Sequence, residues 1–440
     1  MKRCWLILPA FFLAVQPVAA GDPVEQDTLL TLYGTVEYAI NYGLSMRTAI
    51  NRRLSSTMDL FASRQALRPT ARATLSTSGR QSLSSSSASF SADAAVGADY
   101  ELSPSRYSFY RAERNRSNAA QHDVDQERKD VAEEIILQYV KTVGAKKLIE
   151  VEERNIDYQQ RKLEEIEALF EQGIKAKSDV LQQKTAVFEA RSRLLDATQE
   201  YHRLKFTVLD ILGLPLSDRY RFDTTAVMAL LFCFTADTAH QPVTPSRETD
   251  EIAAQQCRVA AAEATLTGNH YNYIPALSFS AGWSADATGP RDHSGASALQ
   301  AGASIGIPIF DKKQRWLQVK NAEIGLQNEQ LELERLERAF VLAVEQATLD
   351  DEMAEERIAV ADVRCAAAQE ALQATEERYN VGASTIVELN AVRTSYAEAQ
   401  SELVQARFDR ITSRIILLYE TGRIDQVIAL INMRKTETRY

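Results

Sequence analysis

Two stretches of this chain, residues 105–171 and 311–380, contain no proline and a single glycine each, Gly144 and Gly325. Both are rich in Glu, Ala, Gln, Leu and Arg, residues that lose little freedom on entering a helix. At 1.5 Å per residue, each stretch predicts a helix about 100 Å long. An average globular helix makes about three turns, so no globular core can cover one of this length. The chain must build something elongated.

The two helices belong to a duplicated unit. Phe170-Glu171-Gln172-Gly173-Ile174, followed by Ser178-Asp179-Val180-Leu181, matches Tyr379-Asn380-Val381-Gly382-Ala383, followed by Val387-Glu388-Leu389, at an offset of 209. The same offset carries Gly213 onto Gly422. Upstream, Arg68-Pro69 corresponds to Ile274-Pro275 at an offset of 206, and Pro104 to Pro308 at 204. Self-similarity of this span fixes the architecture before any local reading does. Each unit reads as a helix, two strands, a very long helix, a tight turn and a returning helix. The first unit takes residues 21–213, with a hairpin over about 70–103, the long helix over 105–171 and the return over 178–212. The second takes 248–424, with a hairpin over about 274–310, the long helix over 311–380 and the return over 384–421. Residues 214–247 join the units, and 425–440 form a tail.

The returning helices carry heptads. Val180, Val187, Leu194, Tyr201 and Val208 fall seven apart, with Ala190, Ala197, Leu204 and Ile211 three places after the last four. Leu389, Tyr396 and Leu403, with Val392, Ala399 and Ala406, repeat the register. Small residues at such positions let helices approach closely, as in coiled coils. Each return is about half as long as its partner. The helices before the hairpins, residues 31–67 and 248–271, supply the missing length. Two short helices stacked end to end beside a long one predict a coiled-coil cylinder, hollow or solid.

Between the helices the period changes to two. Ala88, Phe90, Ala92, Ala94, Val96, Ala98, Tyr100 and Leu102 alternate with smaller or polar residues. Leu277, Phe279, Ala281 and Trp283 do the same, as do Leu299, Ala301, Ala303, Ile305, Ile307 and Ile309. Residues 70–80 follow more weakly through Ala71, Ala73 and Leu75. One apolar face per strand marks half-buried strands, and about ten residues cross a membrane when tilted. Four strands cannot close a barrel, and an open edge in lipid leaves its backbone groups unpaired. Several chains must then share one barrel. Two would give eight strands and three would give twelve.

Composition alone reads as a soluble helical protein, with 45% apolar residues, 17 glycines, 11 prolines and a net charge of -10. That balance opposes nucleic-acid binding. Beyond the N-terminus there is no run of 18 apolar residues, which excludes a helical membrane protein. A half-polar strand never shows as such a run, so the barrel reading is untouched. Residues 1–20 read as a secretory signal peptide: Lys2 and Arg3, an apolar stretch from Trp5 to Val15, then Val18-Ala19-Ala20. Cys4 is lost with it. Of Cys233, Cys257 and Cys365, the first two could bridge, while Cys365 reads as a small apolar helix residue.

The doubled motif around Gly173 and Gly382, with Arg378-Tyr379-Asn380-Val381-Gly382 and Val387-Glu388-Leu389, and the strand end Ser304-Ile305-Gly306-Ile307-Pro308-Ile309-Phe310, resemble the TolC family of outer membrane factors. The resemblance covers about residues 29–424. It implies a mainly α chain with a small β part: long coiled-coil hairpins forming a periplasmic α-barrel, plus four membrane strands per chain in a trimeric 12-stranded barrel. It implies a homotrimer in the outer membrane of a Gram-negative bacterium, in contact with outer-membrane lipid. Such a duct passively carries small molecules or proteins in efflux or type I secretion. A periplasmic membrane fusion (adaptor) protein would link it to an inner-membrane transporter. Residues 214–247 would form an equatorial girdle.

By the same resemblance, the turns at Gly173 and Gly382 are periplasmic tips, with Phe170, Tyr379 and Val381 as adaptor contacts. Asp179, Glu388, Ser384 and Ala391 would lie at the aperture. Thr385 with Glu388 also reads as a capping box, and acids in a first turn offset the helix dipole. Capping and a ring of carboxylates are compatible roles. The chain departs from the family in two places: Ala391 stands where an acid is usual, and Ser384 where an arginine is. The five histidines are scattered without metal spacing, and no nucleophile elbow or phosphate loop occurs. No cofactor, nucleic acid or enzymatic activity is expected. The competing readings are a periplasmic adaptor, which would carry one hairpin between lipoyl-like halves, and a coiled-coil scaffold, which leaves the alternating strands unexplained.

Overall fold

A computed structural model describes residues 28–81, 88–235, 249–288, 295–307, 309–424 and 427. The signal peptide, the serine-rich residues 82–87, the second half of the joining segment and the tail beyond residue 427 lie outside the described residues. In chain order the elements are β1 (Thr28–Leu30), α1 (Leu32–Tyr42), α2 (Leu44–Gln65), β2 (Thr70–Gln81), β3 (Ala88–Leu102), α3 (Pro104–Glu171) and α4 (Lys177–Leu212). They continue as β4 (Tyr220–Phe222), α5 (Thr225–Thr235), α6 (Asp250–Tyr271), β5 (Ala276–Thr288), β6 (Gly295–Gly306), α7 (Gln314–Asn380) and α8 (Ile386–Glu420).

The long helices are 68 and 67 residues, about 100 Å each. α2 and α4 both lie along α3, and α6 and α8 along α7, so short helices do stack against each long one. α3 is also the bridge between units, packing on α6 and α8. Three boundaries differ from the sequence reading, the first being the second hairpin, expected to reach about residue 310 through Ile307 and Ile309, whose last strand ends at Gly306. The helix expected over 31–67 breaks at Gly43, whose ψ of 145° ends α1 while its N–H bonds the Ala39 carbonyl at 2.8 Å. A Cβ there would stand 2.3 Å from the Ala39 oxygen, so only glycine fits. The helix expected from residue 311 starts at Gln314, because Lys312 and Lys313 are left-handed.

The four long strands form one antiparallel sheet in the order β2-β3-β5-β6, and β1 pairs separately with β4. The register places like residues in rows. Ala73, Val96, Trp283 and Leu299 lie side by side, as do Ala71, Ala98, Ala281 and Ala301. The alternate rows are Thr70, Asp99, Ser280 and Gly302, and Ser76, Asp93, Asp286 and Ala296. One face is therefore mainly apolar and the other mainly polar or small. Among the described residues no helix is long and apolar enough to cross a membrane.

The main core sits midway along α3. There Val131 to Val143 meets Leu32 and Val36 of α1, Phe222 of β4, Val227 of α5 and Ile411 and Ile415 of α8. Residues 214–235 of the joining segment thus wrap the middle of the long helix. The three-residue β1–β4 pair and the α5 helix had too little pattern to announce themselves. Tyr139, fully buried, edge-packs on Phe222 and puts its hydroxyl 2.7 Å from the Leu30 carbonyl and 2.8 Å from that of Asp223. One phenol ties the two short strands to α3. Cys257 and Cys365 are half-buried free thiols, and the Cys233 side chain lies outside the described residues.

Tyr139→Phe should remove the one donor that the Leu30 and Asp223 carbonyls share, leaving Leu30 only the Asp223 N–H at 3.1 Å. A loss of about 1–3 kcal/mol is expected, seen as a drop of a few degrees in thermal melting.

Candidate functional site

Both hairpin tips are built alike. α3 ends with Gly173 at φ 75°, and α7 with Gly382 at φ 78°. In each, the glycine N–H bonds back three residues, to Phe170 or Tyr379, and the next N–H bonds back five, to Leu169 or Arg378. This is the Schellman ending, which needs a left-handed residue and so favours glycine. Gly213 and Gly422 close the return helices in the same manner. The turn glycines therefore serve the chain reversal itself.

The tips then diverge. At the second, Thr385 caps α8, its hydroxyl accepting from the Glu388 N–H at 3.2 Å. Only half of the expected capping box forms. The Glu388 carboxylate accepts instead from Ser384 Oγ at 2.7 Å and Arg378 Nη1 at 3.1 Å. The Ser384 hydroxyl, helped by the Arg378 charge, holds this carboxyl below its ordinary value. Ser384, a departure from the family pattern, is thus a direct partner of the acid. At the first tip Ala176 occupies the cap, and its methyl group makes no capping hydrogen bond. Asp179 receives a single side-chain hydrogen bond, from Ser178 at 3.4 Å. Ala391 is exposed one turn into α8 and makes no polar contact.

The aromatic positions diverge too. Phe170 is 41% exposed and Val381 80%, but Tyr379 is only 4% exposed. Tyr379, expected as a surface contact, instead packs with Ile166, Leu372, Ile386 and Leu389 in a small core joining the hairpins. Lys175 Nζ lies 4.0 Å and Lys162 Nζ 5.0 Å from its ring centroid. The difference follows from neighbours: α3 of the first unit lies beside Tyr379, whereas among the described residues Phe170 joins no such core and stays 41% exposed.

About 20–27 Å above the tips, a buried polar layer crosses both hairpins. Gln183 Nε2 donates to the Gln159 carbonyl at 2.9 Å and to its side-chain oxygen at 2.7 Å. Arg393, nearly buried, donates to Asn155 Oδ1 at 3.3 Å and stacks its guanidinium 4.1 Å from the Tyr158 ring centroid. Tyr158 in turn donates to Glu376 at 2.5 Å. The sequence reading passed over this layer. Its signal was Gln183, a polar residue three places after Val180, where the heptad calls for an apolar one.

At the equator, the Tyr419 hydroxyl and Gln126 Nε2 donate to Asp130 Oδ1 at 2.5 and 2.7 Å. Nearby Glu133 has its carboxyl pushed up to about 7, first by burial and then by Glu420, Asp130 and Glu134. His122 is not isolated, as its spacing suggested. It converges with Asp125 and Asp250, but Lys129 Nζ already lies 2.6 Å from Asp250 and supplies the positive charge there.

A family model described as "Outer membrane efflux protein" matches residues 44–214 and 247–423. The pyoverdine export outer membrane protein OpmQ of Pseudomonas putida is 22% identical over 350 residues, covering 77% of this chain and 72% of that one. Among solved structures, the CusC channel superposes with a TM-score of 0.78 at 15% identity, over 89% of this chain and 91% of CusC. The outer membrane protein VceC of Vibrio cholerae gives 0.76 at 16% identity, over 89% and 96%. The fold is that of these channels.

The folded Glu133 carboxyl binds its proton more tightly than an unfolded one. Stability should therefore fall as pH rises from 4.5 to about 7 and then level. Glu133→Gln should flatten that fall, raising the melting temperature near pH 8 and leaving it little changed at pH 4.5.

Proposed function

The chain belongs to the outer membrane efflux protein family, and we propose that three copies of this outer-membrane channel close into one passive duct reaching from the outer membrane through the periplasm. The observation that carries this reading is the pair of unfinished edges. β2 and β6 each have twelve residues and one unpaired side. In hydrocarbon, every such N–H and C=O needs a partner, and β6 of one copy meeting β2 of the next supplies it. Two copies would give eight strands, a barrel that side chains fill. Three give twelve and leave a lumen.

The helices are unfinished on the same sides. Leu181, Phe188 and Leu195 of α4 lie seven apart and exposed, as do Leu317, Ile324 and Leu331 of α7. Among the described residues α3 packs extensively on helices of both units, while α7 does so only on α6 and α8 of its own unit. By repeat equivalence, the bare flank of α7 takes α2 and α4 of the next copy. Phe170 then gains the cover that Tyr379 already has. Such a contact is heterologous, and three of them close a ring.

The tips are the docking end for an adaptor coupled to an inner-membrane transporter. Val381 is its exposed apolar contact, and Tyr379 acts from beneath by holding the hairpins together, as Phe170 does once the ring closes. Asp179 and Glu388 stand at the aperture in three copies each, in unequal states. Arg378 offsets Glu388, so Asp179 carries the ion preference of the narrow end. Cargo choice belongs to the transporter.

The purified protein should extract only with detergent and run as a trimer. Phe188→Glu should shift it to monomers in light-scattering chromatography while its helical circular dichroism persists. A wild-type monomer in the soluble periplasmic fraction would sink the duct. In planar bilayers, Asp179→Asn should lower cation preference, and Glu388→Gln alone should change it little. Equal preference in all three proteins would leave both acids with structural roles only.

A further inference from the structure

The two units differ at the junction where the sheet hands over to a long helix. One residue separates β3 from α3, whereas seven, residues 307–313, separate β6 from α7. The repeat offsets agree, rising from 204 at Pro308 to 209 at Gly382. The second unit has gained a short segment that the duplication does not explain. Its residues are conspicuous. Ile309 and Phe310 are 94% and 84% exposed. Lys312 and Lys313 follow at φ 55° and 66°, the only non-glycine residues with positive φ among those described.

Glycine would take that backbone shape without strain. Lysine does not, and Lys313 also occupies the N-cap of α7, where a positive charge opposes the helix dipole. The two side chains stand there against both effects. No ion pair or hydrogen bond engages either ammonium among the described residues, and both lysines are exposed. The nearby carboxylates are taken: Asp311 lies 3.7 Å from Arg315, and Glu101 2.5 Å from Arg106.

The opposite edge of the chain is basic at the same level. Arg64 and Arg68, both exposed, stand just before β2. Ring closure brings that edge against β6 and gathers four cations at each seam. Half-exposed Tyr273 and Trp316 flank the segment. Apolar side chains beside aromatics and unneutralised cations, where strands leave a membrane, are the pattern of a lipid interface.

We propose that residues 309–313 form a membrane-interface anchor. Ile309 and Phe310 enter the periplasm-facing leaflet, and Lys312 and Lys313 hold the headgroup phosphate of an anionic phospholipid at the subunit seam. This rests on the reading that the sheet spans the outer membrane as a closed ring.

The test reconstitutes the full-length trimer in vesicles of phosphatidylethanolamine with and without phosphatidylglycerol. After re-extraction, mass spectrometry counts the lipid retained per trimer. Wild type should keep phosphatidylglycerol in preference to phosphatidylethanolamine. Lys312→Gln with Lys313→Gln should weaken that preference by about fivefold per lysine removed, while the trimer still inserts. The matching Gly pair, which relaxes the backbone, should lose the preference equally and melt no lower. An unchanged preference in either variant overturns the proposal. So does a trimer that loosens in the Gln pair while its bound phosphatidylglycerol stays constant, since the lysines would then serve a carboxylate across the seam, such as Asp59. A wild-type chain that enters no vesicle at all would instead reject the membrane reading beneath it.

Discussion

A backbone N–H or C=O in hydrocarbon has no water to turn to, and the four-stranded sheet carries two rows of them along its outer edges. Everything else in the molecule is arranged around that debt. The strands cannot complete their own hydrogen bonding, so the chain cannot be a finished object alone. The same incompleteness runs down the helices, where among the described residues α7 packs extensively only on its own unit and α4 shows an exposed apolar stripe. One unmet condition at the membrane end thus fixes the symmetry of the whole length.

Duplication is what makes that symmetry cheap to encode. The contact of the first unit with the second, made inside the chain, is in the proposed ring a template for the contact of the second with the next copy's first. Tyr379 and Phe170 display the two halves of this relation. They occupy matching places in matching turns, yet one is buried under Lys162 and Lys175 and the other is open. The difference lies in whether the neighbour belongs to the same chain.

This also marks what the sequence could and could not announce. The proline-free runs, the tip glycines and the period-two rows are local properties, and each maps onto an element the structure contains. Tyr379's burial is not local, because it depends on which helix lies beside it. Gly43 inside a helical pattern looks like a tolerated glycine, and only its 2.3 Å clearance from Ala39 reveals a required break. The layer of Gln159, Gln183, Asn155 and Arg393 joins residues more than 200 positions apart in places. The αL lysines show no period at all, since their backbone shape is set by the step from strand to helix.

The polar layer has a further consequence for the duct. A seam of alanine and leucine heptads tolerates a slip of one heptad with little change in buried area, and such a slip moves a helix about 10 Å. Along a strand that is about three residues, enough to exchange its apolar and polar faces. A hydrogen-bonded pair inside the seam forbids the slip, because every displaced partner would be buried unpaired. Gln183 on Gln159 fixes α4 against α3, and Arg393 on Asn155 fixes α8 against α3. Higher up, Arg410 and Arg414 converge on buried Asp351 and fix α8 against α7. These groups need contribute nothing to net stability. Their role is to deliver the strand edges at one height, so that copies meet in register.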